Sequence, residues 1–193
     1  MSEDRVQRRI DLTEETHAPF GAGAFITGNV MIVGEQDSDP TASVKQRPFC
    51  TTKGCTGWLN KQLDDENIPE EKLFWVNALN NDNTAANLKY VVETMKPIAI
   101  VALGGIAQNE LQKQEIYNFK PFYHPQYWKR FKSKLPYALI ATLKELVAYP
   151  QQTLSEDGKT LSIWYKPGCA HLYDVETRRY AGGICCPYIP ENI

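Results

Sequence analysis

The chain lacks any apolar run long enough to cross a membrane and any marked excess of one charge. A spanning helix needs about 20 consecutive, mostly apolar residues, and no such run occurs in the 193 residues. The first residues, 1–5, lack the apolar segment of a secretory signal. The 21 Lys and Arg residues are balanced by 23 Asp and Glu residues. The protein therefore lacks the net positive charge that would bind a polyanion such as DNA without a specific site. We therefore expect a cytoplasmic protein with no membrane partner, in which any polyanion site is local.

Cysteine is also scarce. Five cysteines, an odd number, are spread along the chain, which excludes a dense disulfide framework and favours reduced thiols or a metal site. Cys169, His171, Cys185 and Cys186 offer ligands suited to zinc, but adjacent cysteines seldom bind the same tetrahedral ion. Buried small apolar side chains explain these cysteines equally well. We predict no metal and no other cofactor.

The chain does contain enough apolar residues for one globular domain, with 42% hydrophobic and 23% charged residues. Four short apolar runs, each stopped by glycine or polar residues, are typical of strands buried on both faces of a mainly parallel sheet. These runs cover residues 29–34, 73–76, 98–103 and 121–123.

Helical patterns lie between the apolar runs. Leu88, Val91 and Met95 recur at helical spacing after a polar start, and a second amphipathic pattern begins near Pro136. Alternating strands and helices imply right-handed crossovers, so we predict an α/β fold: a three-layer α/β/α sandwich with a central four-stranded parallel sheet. Ligands of such sheets bind beyond the carboxyl ends of the strands. The segments to examine follow Val33, Val76, Leu103 and Tyr123.

Three regions differ in character along the chain. Residues 1–28 are polar and then glycine-rich, which indicates an N-terminal arm without a function, and residues 29–150 form the predicted α/β domain. Residues 151–193 carry period-two alternation, clearest over 160–165, which predicts an antiparallel ribbon packed on the same domain. The acidic segment 64–71 is expected to be a solvated helix end.

Four short segments follow the predicted strands or lie in the loops that leave them. They are Gly34-Glu35-Gln36-Asp37, Arg47-Pro48-Phe49, Asn77-Ala78-Leu79-Asn80 and Tyr123-His124-Pro125-Gln126. In this order, and with Ala102-Leu103-Gly104 ending the third strand, they resemble the motifs of the uracil-DNA glycosylase superfamily, in particular family 4 and its bacterial relatives. The resemblance covers about residues 29–148. It implies an enzyme that turns a pyrimidine, most simply uracil, out of DNA and hydrolyses its bond to deoxyribose.

The resemblance gives each residue type a role in base binding. Asn77 would hold the pairing edge, because an amide matches the O4 and N3–H pattern of uracil, and Gly34 belongs to the same base-binding set. Phe49 would stack on the ring. His124 would donate a hydrogen bond to O2 of the departing base, where negative charge develops. The plainer alternatives are an asparagine or a histidine that caps a turn and a phenylalanine of the core.

The acid of the mechanism stays open at this point. Glu35, Asp37 and Asp39 all compete to position water or to offset the charge of the sugar cation, and Gln36 lies in the same motif. The chain departs from the family here, since Asp37 stands where relatives have proline. The nucleophilic histidine of relatives that attach covalently to DNA has no counterpart. No cysteine precedes Cys50, so the iron–sulfur cluster of family 4 is not predicted either.

Segment 126–134 carries the clearest nucleic-acid signal, with four cations interleaved among three aromatic residues. Lys129 and Arg130 would contact phosphates, while Tyr127 or Trp128 would fill the space left by the extruded base. A solvated, charged helix end is the alternative. The predicted partner is therefore single- or double-stranded DNA that contains uracil or a modified pyrimidine.

Two other functions stay open. The divergent first motif also suits a catalytically altered superfamily member that binds or chemically tailors a modified pyrimidine in DNA, for example in a virus with hypermodified bases. A generic α/β nucleotide-binding module is the second. In each case we expect a monomer.

Overall fold

The computed structural model describes residues 2–36, 47–149, 151–166 and 169–183. Contacts divide the chain into two compact units, Met1–Val147 and Ala148–Ile193. The helices are α1 (Ser2–Glu15), α2 (Gly54–Asp65), α3 (Leu88–Met95), α4 (Gly105–Lys113), α5 (Pro125–Phe131) and α6 (Ala138–Val147). The first unit contains the strands β1 (Ala22–Gly23), β2 (Val30–Gly34), β3 (Leu73–Asn77), β4 (Ala99–Leu103) and β5 (Lys120–Phe122). Among the described residues, no helix has the length and apolar character needed to cross a bilayer.

The first unit is mixed α/β and is built on a sheet of five strands in the order β1-β3-β2-β4-β5. Strands β2 to β5 pair in parallel, as the apolar runs predict, but β1 pairs antiparallel with β3. The expectation of four parallel strands is therefore corrected to a mixed, five-stranded sheet. Because β1 has only two residues, it carries no periodicity that would reveal a strand.

Both faces of the sheet are buried at β2, β3 and β4, which explains the continuous apolar character of these strands. The expectation that the run 121–123 is buried on both faces is wrong, because Pro121 and Tyr123 are exposed and Phe122 is half-buried in the edge strand β5. Alternate residues such as Ile32 and Trp75 enter one apolar cluster with side chains of α2 and α6. Their neighbours Met31 and Phe74 enter a second cluster with α3 and α4. The sheet is thus held from both sides, and its strand ends are fixed in position.

The N-terminal segment forms α1 and β1 and belongs to the first unit. Helix α1 buries Arg5, Arg9, Leu12 and Thr13, which recur at the i, i+4, i+7 and i+8 spacing of one helix face. The acidic segment also differs from the expectation of a solvated helix end, because Glu70 is only 4% exposed. The site description below explains why charged groups occupy these buried positions.

The second unit contains the strands β6 (Gln151–Leu154), β7 (Thr160–Lys166), β8 (Cys169–Asp174) and β9 (Arg179–Gly183). They form one antiparallel sheet in chain order, so the predicted ribbon is a four-stranded sheet. His171 is buried in β8 and its ring lies edge-on to Tyr180. Cys185 and Cys186 lie outside the described residues, so the alternative of a zinc site is not tested there.

Candidate functional site

The carboxyl ends of the parallel strands meet at one rim of the sheet. Gly34 at the end of β2 pairs in register with Asn77 at the end of β3, and Leu103 of β4 pairs with Phe122 of β5. The strand order reverses between β2 and β4, because β2 leads to β3 on one side and β4 leads to β5 on the other. Such a switch point leaves a crevice at the strand ends, which is where open α/β sheets bind ligands.

A small cavity of about 150 Å³ lies at this rim. Its lining includes Glu35, Gln36, Phe49, Asn77 and His124. The structure therefore brings together five of the residues that the motifs select, although they come from four separate segments of the chain. The volume is below the roughly 300 to 1,000 Å³ of sites for drug-sized ligands, so it fits a single small ring.

Gly34 packs closely against two of these side chains. A Cβ added to Gly34 would lie 2.5 Å from Cζ of Phe49 and 2.6 Å from Oδ1 of Asn77. Both side chains therefore converge over the same strand end, and they approach too closely for any larger residue. Asn77 is 8% exposed, so its amide is largely removed from solvent.

Phe49 is held in an unusual backbone conformation. Its φ is +60°, in the left-handed region that a bulky residue rarely adopts without support from its surroundings. The ring packs on Trp75 with centroids 4.8 Å apart, and the main-chain carbonyl of Phe49 accepts a hydrogen bond from the guanidinium of Arg9. The ring is thus anchored at the cavity wall from the backbone and from the core.

Arg9 is the centre of a buried network that the sequence analysis missed. It is fully buried, and its Nη2 lies 2.5 Å from Oε1 of Glu70, which also accepts from Nη1 of Arg5 at 3.0 Å. The Arg9 guanidinium lies 4.3 Å from the Trp75 ring centroid, and the Trp75 indole donates to Glu70 at 3.3 Å. The charges are therefore paired and hydrogen-bonded, as burial requires. The one available signal was the helical spacing of Arg5 and Arg9 with apolar Leu12.

His124 follows β5 and caps the N-terminus of α5. Its Nδ1 accepts a hydrogen bond from the backbone N–H of Gln126 at 3.1 Å. A neutral imidazole that accepts at Nδ1 carries its proton on Nε2, so the ring is a hydrogen-bond donor at that atom. Burial lowers the pKa of His124, and the negative charge of Glu35 opposes that shift. The capping alternative is thus observed, and it leaves Nε2–H available as a donor.

Glu35 and His124 both lie close to Gly104. A Cβ on Gly104 would come within 2.4 Å of Oε1 of Glu35 and 3.3 Å of Cβ of His124. Gly104 also has φ of +94°, a conformation that favours glycine. Glu35 lines both cavities. The other two candidate acids, Asp37 and Asp39, lie outside the described residues, so the choice among the three is not tested.

Gln36 points its amide toward the loop that follows β3. Its Nε2 donates to the Asn80 carbonyl at 2.8 Å and to Oδ1 of Asn83 at 2.9 Å. These bonds tie the loops that leave β2 and β3 to each other. Gln36 thus positions these loops, and its catalytic role stays a prediction.

A second, larger cavity of about 790 Å³ shares Glu35 and His124 with the small one. Aromatic side chains dominate the rest of its lining, among them Tyr123, Tyr127 and Tyr137. The Tyr137 hydroxyl donates to the Tyr123 carbonyl, which fixes the turn that carries His124. The two cavities thus meet at one carboxylate and one imidazole.

Tyr127 and Trp128, the two candidates for insertion into DNA, both belong to α5 but have different environments. Trp128 packs on Tyr137 with centroids 5.4 Å apart and donates from Nε1 to the Leu135 carbonyl at 3.1 Å. Tyr127 is 41% exposed. Trp128 therefore anchors the helix and Tyr127 is the more accessible ring, while insertion of either ring into DNA stays a prediction. Lys129 and Arg130 are exposed on the same helix.

A scan against protein-family models gave no match, and a search of curated proteins found no similar sequence. Function is therefore inferred from the groups that meet at the rim. An amide, an aromatic face and a neutral imidazole donor surround a hollow the size of one small ring, with a carboxylate beside them. Burial raises the pKa of the Cys55 thiol in the same wall, so this thiol is protonated at neutral pH and is a poor nucleophile.

Proposed function

We propose that the protein is a DNA N-glycosylase that binds an everted pyrimidine, uracil or a close derivative, and hydrolyses its glycosidic bond. The observation that carries the proposal is the convergence of Phe49, Asn77 and His124 on one cavity of about 150 Å³, with Gly34 packed closely against the first two side chains. The three lining side chains suit one face, the pairing edge and O2 of a pyrimidine. The proposal includes the three-layer arrangement of the resembled superfamily, with β2 to β5 as its parallel strands.

The proposed chemistry separates charge between base and sugar. As the glycosidic bond breaks, the pyrimidine gains negative charge at O2, and a fixed Nε2–H donor on His124 stabilises it. The sugar becomes cationic, and the Glu35 carboxylate offsets that charge or positions the attacking water. Asn77 accepts from N3–H and donates to O4, while Phe49 covers one face of the ring. Exposed Lys129 and Arg130 contact phosphates of the strand.

Incubation with uracil-containing oligonucleotides, followed by alkali, tests this proposal directly. We expect strand cleavage at the uracil position and none in a matched oligonucleotide that carries thymine. His124→Ala should lower the rate by at least about 100-fold, as the loss of one preorganised donor usually does, with nearly unchanged DNA affinity. His17→Asn is the matched control, because His17 is exposed and lies outside both cavities.

Two results would contradict the proposal in different ways. Absence of cleavage by the wild-type protein, on single and double strands alike, would refute glycosylase activity. Cleavage at an undiminished rate by His124→Ala would remove His124 from the mechanism and leave the activity in place. Asn77→Asp adds a specificity test, since a carboxylate repels O4 and should abolish uracil excision.

A second candidate function is the binding or tailoring of a pyrimidine with a bulky substituent. The cavity of about 790 Å³ favours it, because this space adjoins the small cavity at Glu35 and His124 and could receive the substituent. Oligonucleotides that carry 5-hydroxymethyluracil or a larger 5-substituent distinguish the two functions. Tighter binding than to uracil DNA, without release of the base, would favour the second candidate.

A further inference from the structure

Three exposed aromatic rings form a row on the surface beside the candidate site. Tyr123, Tyr127 and Phe131 are 55%, 41% and 65% exposed. The first two rings are stacked, with centroids 4.8 Å apart and planes 19° from parallel, and the last two have centroids 5.0 Å apart. A core does not need rings this exposed, so the row calls for another explanation. We call these three residues the aromatic row.

Cations surround the aromatic row. Lys129 and Arg130 lie on the same helix, and Nζ of Lys132 is 5.7 Å from the Tyr123 ring centroid. Lys134 follows two residues later. Within the part of the chain that the structure describes, none of these four side chains is paired with a carboxylate. The patch therefore combines stacking surface with uncompensated positive charge, the combination that binds single-stranded nucleic acid.

The aromatic row is continuous with the candidate site. Tyr123 directly precedes His124, and both Tyr123 and Tyr127 line the larger cavity that shares His124 and Glu35 with the small one. A strand with one base in the small cavity would pass its neighbouring nucleotides over these rings.

We propose that the aromatic row is a stacking platform for unpaired bases next to the everted one, so that single-stranded DNA is the preferred substrate form. This inference rests on the proposed function and specifies that the DNA it acts on is single-stranded. In a duplex the base faces are already stacked on one another. Tyr127 is itself packed against Tyr123 and Phe131, so its insertion into a duplex would break two ring contacts, whereas binding to unpaired bases breaks none.

The test is a binding titration with DNA that contains no uracil, which separates the platform from catalysis. Fluorescence anisotropy is measured for a labelled oligodeoxynucleotide of about 16 bases, alone and annealed to its complement. We expect tighter binding of the single strand. The double variant Tyr127→Leu/Phe131→Leu should raise the Kd for the single strand by about fivefold or more and change the Kd for the duplex by less than about twofold. Tyr127→Phe should bind like the wild type, because the ring and not the hydroxyl stacks.

Tyr117→Leu is the matched control, since Tyr117 is 70% exposed and lies away from both cavities. Equal weakening of both DNA forms, or no weakening of the single strand, would overturn the platform. Tighter binding of an oligoribonucleotide than of the DNA would overturn the assignment to DNA. If uracil excision fails but the predicted binding differences hold, the proposed function falls while the platform stands. Intact excision with no effect of the double variant on binding would refute the platform and leave the proposed function in place.

Discussion

At the scale of single residues, one hydrogen bond decides which proton His124 carries. The N–H of Gln126 points at Nδ1, so protonation of that atom would place two N–H groups against each other. The neutral ring with Nε2–H is therefore favoured, in agreement with a pKa that burial lowers. A neutral donor suits the stabilisation of a developing anion, because it does not depend on the imidazolium form.

The titration of His124 tests this protonation state. We expect nitrogen-detected NMR to find the neutral Nε2–H form at neutral pH and a pKa below the ordinary 6.5. Glu35→Gln should lower the pKa further, because it removes the charge that raises it. As the pH falls below 6.5, the unfolded chain takes up this proton first, so the fold loses stability there. A pKa above 6.5, or a rise in Glu35→Gln, would contradict the assignment.

A second residue-scale prediction concerns Gly34. Gly34→Ala places a methyl group within 2.6 Å of both Phe49 and Asn77, so one of them must move out of the cavity wall. We expect a destabilisation of about 1 to 3 kcal/mol by urea unfolding and a loss of uracil excision of about tenfold or more.

Gly105→Ala is the structural control for Gly34→Ala. A Cβ at Gly105 has no neighbour within 4 Å, and the residue begins α4. Its free energy of unfolding should be unchanged or higher by up to about 1 kcal/mol. Similar losses in both variants would mean that the close packing around Gly34 has no special role.

At the scale of secondary-structure elements, helix α1 holds part of the candidate site in position through a hydrogen bond to the backbone of Phe49. Arg9 reaches from α1 to the carbonyl of Phe49, and its charge is balanced by Glu70, which shortly precedes β3. The helix thus connects the base-stacking candidate to the core of the sheet. The charged residues on the buried face of α1 therefore have a structural role.

Replacement of Arg9 tests this link. Arg9→Met should lower the free energy of unfolding by about 3 kcal/mol, because Glu70 loses one of its buried partners and the Phe49 carbonyl loses its donor. It should also weaken binding of uracil-containing DNA, whereas a purely structural role would leave that affinity unchanged in the folded fraction. Urea unfolding and anisotropy measure the two effects.

Arg8→Met is the control on the same helix. The Arg8 guanidinium pairs with Glu71 and Glu15 at the surface, where solvent screens the interaction, so stability should hardly change. Equal destabilisation by Arg8→Met and Arg9→Met would contradict the assigned role of the buried network.

At the scale of the whole molecule, the chain divides into two compact units. Within the part of the chain that the structure describes, the residues that line the two cavities belong to the first unit, Met1–Val147. The sheet and its two apolar clusters belong to that unit as well.

We therefore expect a chain ended after Val147 to fold by itself and to keep the proposed activity. Thermal unfolding followed by circular dichroism should remain a single cooperative transition. Uracil excision should stay within about threefold of that of the full chain. An unfolded or inactive truncated chain would show that the second unit is required for the first.

The sequence by itself was enough to predict the elements whose buried faces are formed by apolar residues alone. Strands β2, β3 and β4 are predictable because burial on both faces leaves a continuous apolar run, and α3 because Leu88, Val91 and Met95 fall on its buried face. Strand β1 is too short to have a period, and α1 escapes prediction because paired arginines occupy its buried face. The spacing of apolar residues reveals which face of an element is buried. It does not reveal a buried face that carries charged residues paired with an opposite charge.

The motifs also named Phe49, Asn77 and His124, but only the tertiary structure decided that they share a cavity and that Gly34 packs against the first two. Their proximity comes from strand order and register, which no local pattern records. It likewise decided that Trp128 is held by the core, that Tyr127 is exposed, and that Arg9 fixes the Phe49 backbone. These distinctions depend on contacts between residues far apart in the chain, whose energies appear only once the elements have packed together.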